Sequence, residues 1–236
     1  MKRPKRESPD ELLRRARLIY ARLRREYPDA HCELDFRTPY ELIVATILSA
    51  QCTDARVNLV TPAFFRRFPT PRSLAQADPA EVEDLIRSTG FFRNKTRSLI
   101  GMARALGQDH GGIVPRDMDQ LRELPGVGRK TANVVLGNAY GINAGVTVDT
   151  HVTRVAGRLA LTRNTDPGLI ELDLMPLFPR KNWTMLSHLL IWHGRRVCTA
   201  RQPRCEACVV NELCPSALRP RAASGSGRAR RGGASP

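Results

Sequence analysis

The fold of this 236-residue chain is decided by a stretch near its middle, Leu124-Pro125-Gly126-Val127-Gly128-Arg129-Lys130-Thr131-Ala132. It joins two segments with helical periodicity, residues 118–124 and 129–140. Glycine has no Cβ, so Pro-Gly-x-Gly allows a tight turn whose amides, with the N-terminus of the next helix, can face a phosphate. The stretch therefore predicts a helix-hairpin-helix that holds DNA by its backbone without reading sequence. The predicted DNA-binding residues of the turn are Gly126, Val127 and Gly128.

Apolar residues recur at helical spacing through the rest of the chain as well, for example over residues 12–23, 82–86, 99–106 and 152–159. The alternation of apolar and polar residues that is typical of strands is almost absent. Proline and glycine fall between the periodic segments, where helices would end. The pattern predicts an all-α protein of about ten short helices.

The charge indicates a polyanionic partner. The chain has 38 Lys and Arg against 23 Asp and Glu, a net charge of +15. Nine of the basic residues lie in residues 1–6 and 219–236, so the rest is less basic but still positive. The densest basic patch covers residues 180–204 and contains no carboxylate, which favours phosphate contact over a merely solvated surface. The longest apolar run, residues 42–50, is too short to span a bilayer, so we expect a cytoplasmic protein.

A metal site is predicted near the C-terminus by four cysteines, Cys198, Cys205, Cys208 and Cys214, separated by six, two and five residues. Four thiolates can hold a [4Fe-4S] cluster, a single zinc ion or, after oxidation, two disulfides. Structural zinc sites usually supply two close cysteine pairs, and this block has one. The spacing therefore favours the cluster.

Two residues could carry catalysis, and each also has an ordinary explanation. Lys130 opens the helix after the turn, where it could be a nucleophile or a phosphate contact. Asp149 stands in Val148-Asp149-Thr150-His151-Val152, directly before a periodic segment. It could be a partner of the lysine, a helix N-cap, or both.

Together these motifs resemble the endonuclease III family of DNA glycosylases. The hairpin with its lysine, the Val-Asp-Thr-His-Val segment and the cysteine block occur in the order found in that family. Leu48-Ser49-Ala50-Gln51-Cys52-Thr53-Asp54 and Gly90-Phe91-Phe92-Arg93-Asn94-Lys95 are similar to two further family segments. The resemblance covers roughly residues 10–216.

This resemblance implies a two-domain helix-hairpin-helix glycosylase fold. A basic arm and a helix in residues 1–31 would pack with the cluster domain. A six-helix domain would cover residues 32–143 and contain the hairpin at 118–140. The iron-sulfur cluster domain would cover residues 144–218, and residues 219–236 would form a disordered basic tail.

The activity implied by the resemblance is that of a bifunctional DNA glycosylase and abasic-site lyase of base excision repair, which removes oxidised pyrimidines from double-stranded DNA and cleaves by β-elimination. Lys130 would attack C1′ of the damaged nucleotide. Asp149 would stabilise the charge on the sugar or help deprotonate the amine. Gln51 would fill the gap left by the flipped nucleotide, and Phe91 would wedge into the opposite strand unless it packs in the core. The protein would be a monomer, associated with the nucleoid if it is bacterial.

Two other functions remain open from the sequence. An adenine-mispair glycosylase shares the fold and the cluster, but lacks the hairpin lysine and usually has an extra recognition domain. A non-catalytic iron-sulfur protein that binds DNA would need neither Lys130 nor Asp149. Lesion preference and a redox role of the cluster are not set by any residue of the sequence.

Overall fold

The computed structural model describes residues 7–217. Within that range the chain forms eleven α-helices and five short 3-10 segments, with no strand, which confirms the predicted all-α class. The helices are α1 (Pro9–Glu26), α2 (Pro39–Leu48), α3 (Asp54–Arg67), α4 (Pro71–Ala75), α5 (Pro79–Ile86), α6 (Phe92–Asp109), α7 (Met118–Glu123), α8 (Arg129–Ala139), α9 (Thr150–Arg158), α10 (Pro167–Leu174) and α11 (Trp183–Arg196). The predicted basic arm at residues 1–6 and the predicted tail at 219–236 lie outside the described residues. None of the described helices combines the length and apolar character needed to cross a membrane.

Capping residues explain where most of these helices begin. A Ser, Thr or Asp precedes eight of them and accepts a hydrogen bond from an amide of the first turn. Proline follows directly in five, where its missing N–H would have no partner in any case. The eight caps are Ser8, Thr38, Thr53, Thr70, Asp78, Asp117, Asp149 and Asp166.

The helices bury their apolar faces in two separate cores. The first core draws its buried residues from 34–136, that is, from α2 to α8 and their loops. The second draws them from residues 16–30 and 146–210, so that α1 joins α9, α10 and α11. We propose that these cores are the two domains, with boundaries near residues 31 and 143. Helix α8 contacts both α2 and α11, and it therefore lies at the border between the cores.

Main-chain acceptors anchor α1 to the far end of the chain. Arg15 donates from Nη1 to the carbonyl oxygens of Leu159, at 2.6 Å, and Leu213, at 3.2 Å. Arg22 donates to the carbonyl oxygen of Val209 at 3.1 Å. These bonds connect the N-terminal helix to the loop that carries the cysteines. The second core is therefore assembled from both ends of the described chain.

The turn between α7 and α8 requires glycine at one of its two glycine positions. Gly126 has a φ of 79°, and a Cβ placed there would lie 2.6 Å from Cβ of Ser98. Gly128 has a φ of −90°, and a Cβ there would meet nothing within 4 Å. The tight turn expected from both glycines is thus a property of Gly126 alone. Gly128 keeps the start of α8 open.

Candidate active site and cluster site

A cleft of about 450 Å³ opens between the two cores and brings together three of the predicted site residues, Gln51, Lys130 and Asp149. One wall comes from the first core and includes residues 46–54 and 130–138. The other comes from residues 147–151 and 184–195 of the second. A cleft of this size is within the range of small-molecule sites and can admit a single base. Phe91 lies outside the cleft.

Lys130 is the second residue of α8 and is exposed at the cleft. The first amides of a helix have no intrahelical acceptor, and no side chain caps α8. These amides can therefore face an anion. Of the three predicted backbone donors in the turn, Val127 is already committed, because its N–H donates to the carbonyl oxygen of Leu124 at 3.0 Å. The Val127 side chain is buried and anchors the turn in the first core.

Asp149 is the N-cap of α9, as one of its predicted roles requires. Its Oδ1 accepts a hydrogen bond from the amide of Val152 at 2.8 Å. The cap fixes one carboxylate oxygen at the start of the helix, while the residue remains half-buried on the cleft wall. Capping and a role toward Lys130 are therefore geometrically compatible.

Of the three histidines that line the cleft, none was given a role by the sequence, and His151 and His188 have shifted pKa values. His151 Nδ1 lies 3.1 Å from Nη2 of Arg154, and arginine can only donate, so the neutral ring carries its proton on Nε2. Burial lowers the pKa of His151; the nearby Asp149 opposes this shift, and Arg154 adds to it. His188 Nε2 lies 2.8 Å from Oδ1 of Asn138, and burial lowers its pKa to about 4. Both rings are therefore neutral at pH 7 and can hydrogen-bond without adding charge.

Gln51 and Phe91 share an unusual backbone conformation. Gln51 has a φ of 53° and Phe91 a φ of 48°, so both lie in the left-handed region that non-glycine residues rarely adopt. Phe91 is 63% exposed, whereas its neighbour Phe92 is half-buried against the first core. The core-packing alternative therefore applies to Phe92 and not to Phe91. Strained residues of this kind concentrate at functional sites.

The basic patch predicted at residues 180–204 is partly neutralised, which corrects the sequence-based view of it. Arg195 pairs with Glu33 and with Asp54, the latter at 2.7 Å, and Arg196 pairs with Glu33 at 3.1 Å. These carboxylates come from distant segments, so the local sequence could not reveal them. Lys181 and Arg201 are exposed and form no salt bridge within residues 7–217.

Arg129, next to Lys130, is also committed to the protein. It forms a bidentate salt bridge with Glu171 of α10, with Nε to Oε2 at 2.6 Å and Nη2 to Oε1 at 3.0 Å. Asn133 donates to the same carboxylate at 3.0 Å. A Cβ at Gly145 would lie 1.9 Å from Oε1 of Glu171, so a larger residue there would displace this carboxylate. The start of α8 is thereby fastened to the second core.

The four predicted cysteine ligands line one cavity of about 280 Å³ behind α9 and α11. No group of three or more His, Cys, Asp or Glu side chains in the described chain is arranged to hold a single metal ion. Four thiols around a shared cavity suit a cluster, in which each iron takes one thiolate. Arg158 Nη1 donates to Sγ of Cys198 at 3.3 Å, so a guanidinium lies beside one of the four sulfurs. The residues therefore fit a [4Fe-4S] cluster.

Comparisons with known proteins agree with this geometry. Residues 44–180 match the model of the HhH-GPD superfamily base excision DNA repair protein, and residues 198–214 match the iron-sulfur binding domain of endonuclease III. Endonuclease III of Synechocystis sp. is 56% identical over 86% of this chain and 93% of its own length. Endonuclease III of Escherichia coli is 39% identical over 83% of this chain and 92% of its own.

Solved structures agree as well. A non-covalent endonuclease III-DNA complex superposes with a TM-score of 0.83 at 42% identity, covering 87% of this chain and 96% of that one. A trapped covalent endonuclease III-DNA intermediate gives the same TM-score at 43% identity with the same coverage. The chain therefore belongs to the endonuclease III family, and it is a DNA glycosylase and AP lyase of base excision repair that carries a [4Fe-4S] cluster.

Proposed function

We propose that the chain excises oxidised pyrimidines from duplex DNA and then cleaves the abasic strand, with Lys130 as the nucleophile and Asp149 as its acidic partner. The observation that carries this proposal is the cleft between the cores, which gathers an exposed amine, a half-buried carboxylate and Gln51. The chemistry requires the amine and the carboxylate together, and all three groups come from separate segments of the sequence.

A primary amine accounts for both activities. The neutral amine of Lys130 attacks C1′ of the damaged nucleotide, the glycosidic bond breaks, and the base leaves with the bonding electrons and takes up a proton. The ammonium formed by the attack passes a proton to the ring oxygen, and the bond from C1′ to that oxygen breaks as the ring opens to a Schiff base. The iminium acidifies the C2′ hydrogen, and its loss expels the 3′ phosphate. Water as the nucleophile would release the base without forming this intermediate.

Asp149 would act while it caps α9. One carboxylate oxygen accepts the Val152 amide, and the other remains to face the sugar or the amine. A fixed carboxylate can stabilise the positive charge that develops on the sugar, or take the proton that the amine loses. The helix cap holds the carboxylate in place for either task.

DNA contact would combine backbone binding with strand distortion. The open first turn of α8 would hold a phosphate through its amides, leaving Lys130 free for chemistry. Gln51, on the cleft wall, would fill the position vacated by the flipped nucleotide. Phe91 would unstack the opposite strand, as exposed apolar wedges do. Flipping costs a few kcal/mol, which these insertions would offset.

The main role of the cluster would be to hold the loop of residues 198–214 in its folded conformation. When bound, it supplies four iron-thiolate bonds that close the loop of residues 198–214. This loop adjoins the second core through Cys198, Cys208 and Cys214. The exposed Arg201 of this loop, and the exposed Lys181 before the other end of α11, would contact the DNA backbone. Each of these contacts can be made by one chain, so we expect the protein to act as a monomer.

The two alternative functions fit less well. An adenine-mispair glycosylase has no use for an amine at position 130, and the amine lines the cleft. A non-catalytic DNA-binding protein would not need Lys130 and Asp149 in the same cavity. Endonuclease III relatives over more than four-fifths of the chain favour the bifunctional enzyme.

Borohydride trapping tests the nucleophile. Wild-type protein mixed with a duplex containing thymine glycol or an abasic site should form a covalent protein-DNA adduct when the Schiff base is reduced. Lys130→Gln should form none, and yet bind the duplex, because the hairpin contacts phosphate through its backbone. The matched control is Lys181→Gln, which removes an exposed lysine outside the cleft; any loss of duplex affinity is overcome at saturating duplex, where it should form as much adduct as wild type. Adduct formation by Lys130→Gln would remove the lysine from the mechanism.

A further inference from the structure

Lys95 is a buried lysine that the reaction described above does not use. It belongs to the Gly-Phe-Phe-Arg-Asn-Lys segment and lies in the first turn of α6, with only 5% of its surface exposed. Its Nζ donates to the carbonyl oxygens of Leu48 and Thr89, both at 2.8 Å. Neither hydrogen bond goes to a carboxylate. Burial lowers the pKa of Lys95, as expected for an ammonium that is removed from water and bonded to main-chain carbonyls.

The two carbonyls belong to the two loops that carry the residues proposed to enter DNA. Leu48 is the last residue of α2, and Gln51 follows three residues later. Thr89 ends a 3-10 turn, and Phe91 follows two residues later. These loops are about forty residues apart in sequence, and the ammonium of Lys95 is bonded to both.

Both loops hold a residue in a strained backbone conformation, so the hydrogen bonds from Lys95 can help to maintain that conformation. Gln51, Phe91 and Ala160 are the non-glycine residues with positive φ in the described chain, so two of the three lie beside the Lys95 contacts. Left-handed backbone is unfavourable for a non-glycine residue and persists only where the surroundings impose it. The Lys95 amide also donates to the carbonyl oxygen of Phe91 at 3.1 Å. Lys95 therefore contacts the Phe91 loop through both its main chain and its side chain.

An ammonium suits this position better than a neutral group. The carbonyl of Leu48 lies at the negative end of the α2 dipole, and the helix leaves it without an intrahelical partner. Three donors on one nitrogen can bridge two acceptors from different segments. An apolar side chain of the same length would fill the space but would leave both carbonyls buried without this partner.

We propose that Lys95 is a positioning residue that holds the Gln51 loop and the Phe91 loop in a fixed relation, so that both side chains enter the duplex together when a nucleotide is flipped. This inference rests on the proposed insertion roles of Gln51 and Phe91. It assigns Lys95 no contact with DNA and no part in bond breaking. Its loss should therefore impair extrusion from a duplex and spare the reaction at Lys130.

The test compares two substrates with Lys95→Met, which keeps the length of the side chain and removes the charge and the donors. The first is a duplex with a single thymine glycol, which must be distorted before excision. The second is a single-stranded oligonucleotide with a preformed abasic site, trapped with borohydride, which has no opposite strand to unstack. We expect duplex excision to slow roughly ten- to a hundredfold, the scale of a small misplacement of groups far from the chemistry. Single-stranded trapping should be unchanged.

A spectroscopic measurement follows the insertion itself. A duplex with a stable abasic analogue opposite 2-aminopurine should brighten when saturating wild-type protein unstacks the fluorescent base. Lys95→Met should bind this duplex at saturation with a smaller increase. Arg93→Met is the matched control, because it removes an exposed positive charge two residues away without touching either carbonyl. It should retain both the fluorescence increase and the ratio of duplex excision to single-stranded trapping.

The ratio of duplex excision to single-stranded trapping tests the positioning role even if the variant is unstable. Misfolding lowers both activities together, whereas a positioning role lowers the ratio. If Lys95→Met does not fold, Lys95→Gln, which keeps an amide donor on a shorter side chain, is measured in the same way. A ratio equal to that of wild type would overturn the proposal.

A different result is expected if Gln51 and Phe91 do not insert into the duplex. Gln51→Ala and Phe91→Ala would then excise from the duplex at the wild-type rate. If these two variants are slow and the Lys95 variant keeps the wild-type ratio, only the positioning role is wrong. If all three lower the ratio, Lys95→Met should add little to Gln51→Ala, because the two changes affect the same step.

Discussion

The double use of Asp149, as helix cap and as catalytic carboxylate, can be separated by two substitutions at that position. Asp149→Asn keeps an oxygen that can accept the Val152 amide, now 2.8 Å away, but removes the negative charge. Asp149→Ala removes both. Asparagine caps helices about as well as aspartate, so Asp149→Asn should be nearly as stable as wild type.

The expected effects on stability and on the rate of base release differ enough to be measured separately. Loss of the cap in Asp149→Ala should cost about 1 kcal/mol, which lowers the Tm of a chain this size by about 2–4 °C. Loss of the charge should slow base release about a hundredfold, or nearly 3 kcal/mol of activation free energy. Asp149→Asn should therefore be folded and slow, and Asp149→Ala should be slow and also less stable.

Single-turnover excision of thymine glycol and thermal unfolding measure the two quantities. The matched control is Asp166→Ala, which removes the equivalent cap of α10, where Oδ1 accepts the Leu169 amide at 3.0 Å. It should lose similar stability and keep its excision rate, because Asp166 does not line the cleft. Full turnover by Asp149→Asn would refute the catalytic role and leave Asp149 as a cap only.

Three further substitutions test how the site is held. Gly126→Ala places a Cβ 2.6 Å from that of Ser98 at a φ of 79°. Chemical denaturation should therefore show that the free energy of unfolding falls by more than about 1–2 kcal/mol, and duplex binding should weaken. Wild-type affinity for the duplex would contradict the assignment of the turn. Glu171→Gln should lower the free energy of unfolding by about 1–3 kcal/mol. This is less than for a fully buried ion pair, because the Arg129 side chain is 43% exposed. Excision should also slow, because α8 is held less firmly. The pKa of His188 is about 4 in the folded protein and 6.5 ordinarily, so the unfolded chain binds more protons between these pH values. The free energy of unfolding should therefore fall as the pH drops from 6.5 to about 4. In His188→Gln it should fall less steeply over the same range.

The sequence was informative wherever the signal was local. Helical periodicity and capping residues predict the helices, since each helix depends mostly on its own residues. The hairpin is confirmed within one residue at each helix end, with α7 ending at Glu123 and α8 at Ala139. The cysteine spacing indicates the cluster because the ligands lie within seventeen residues of one another.

Pairings between distant segments were not predictable. Nothing near Arg195 in the sequence shows that Glu33 and Asp54 will neutralise it, and nothing near Arg129 indicates Glu171. Lys95 looks like any basic residue of an exposed loop until the fold buries it. Such contacts depend on the packing of whole helices against one another, which a single sequence does not display.

The discontinuous second core has a consequence for the making of the protein on the ribosome. Helix α1 emerges before its partners, which begin at Val146, more than a hundred residues later. At a synthesis rate of about 5–20 residues per second, α1 must wait on the order of ten seconds with its apolar face uncovered. The first core can condense during that interval, since its residues are consecutive in the chain. Insertion of the iron and sulfide must come last, after the final cysteine has left the exit tunnel.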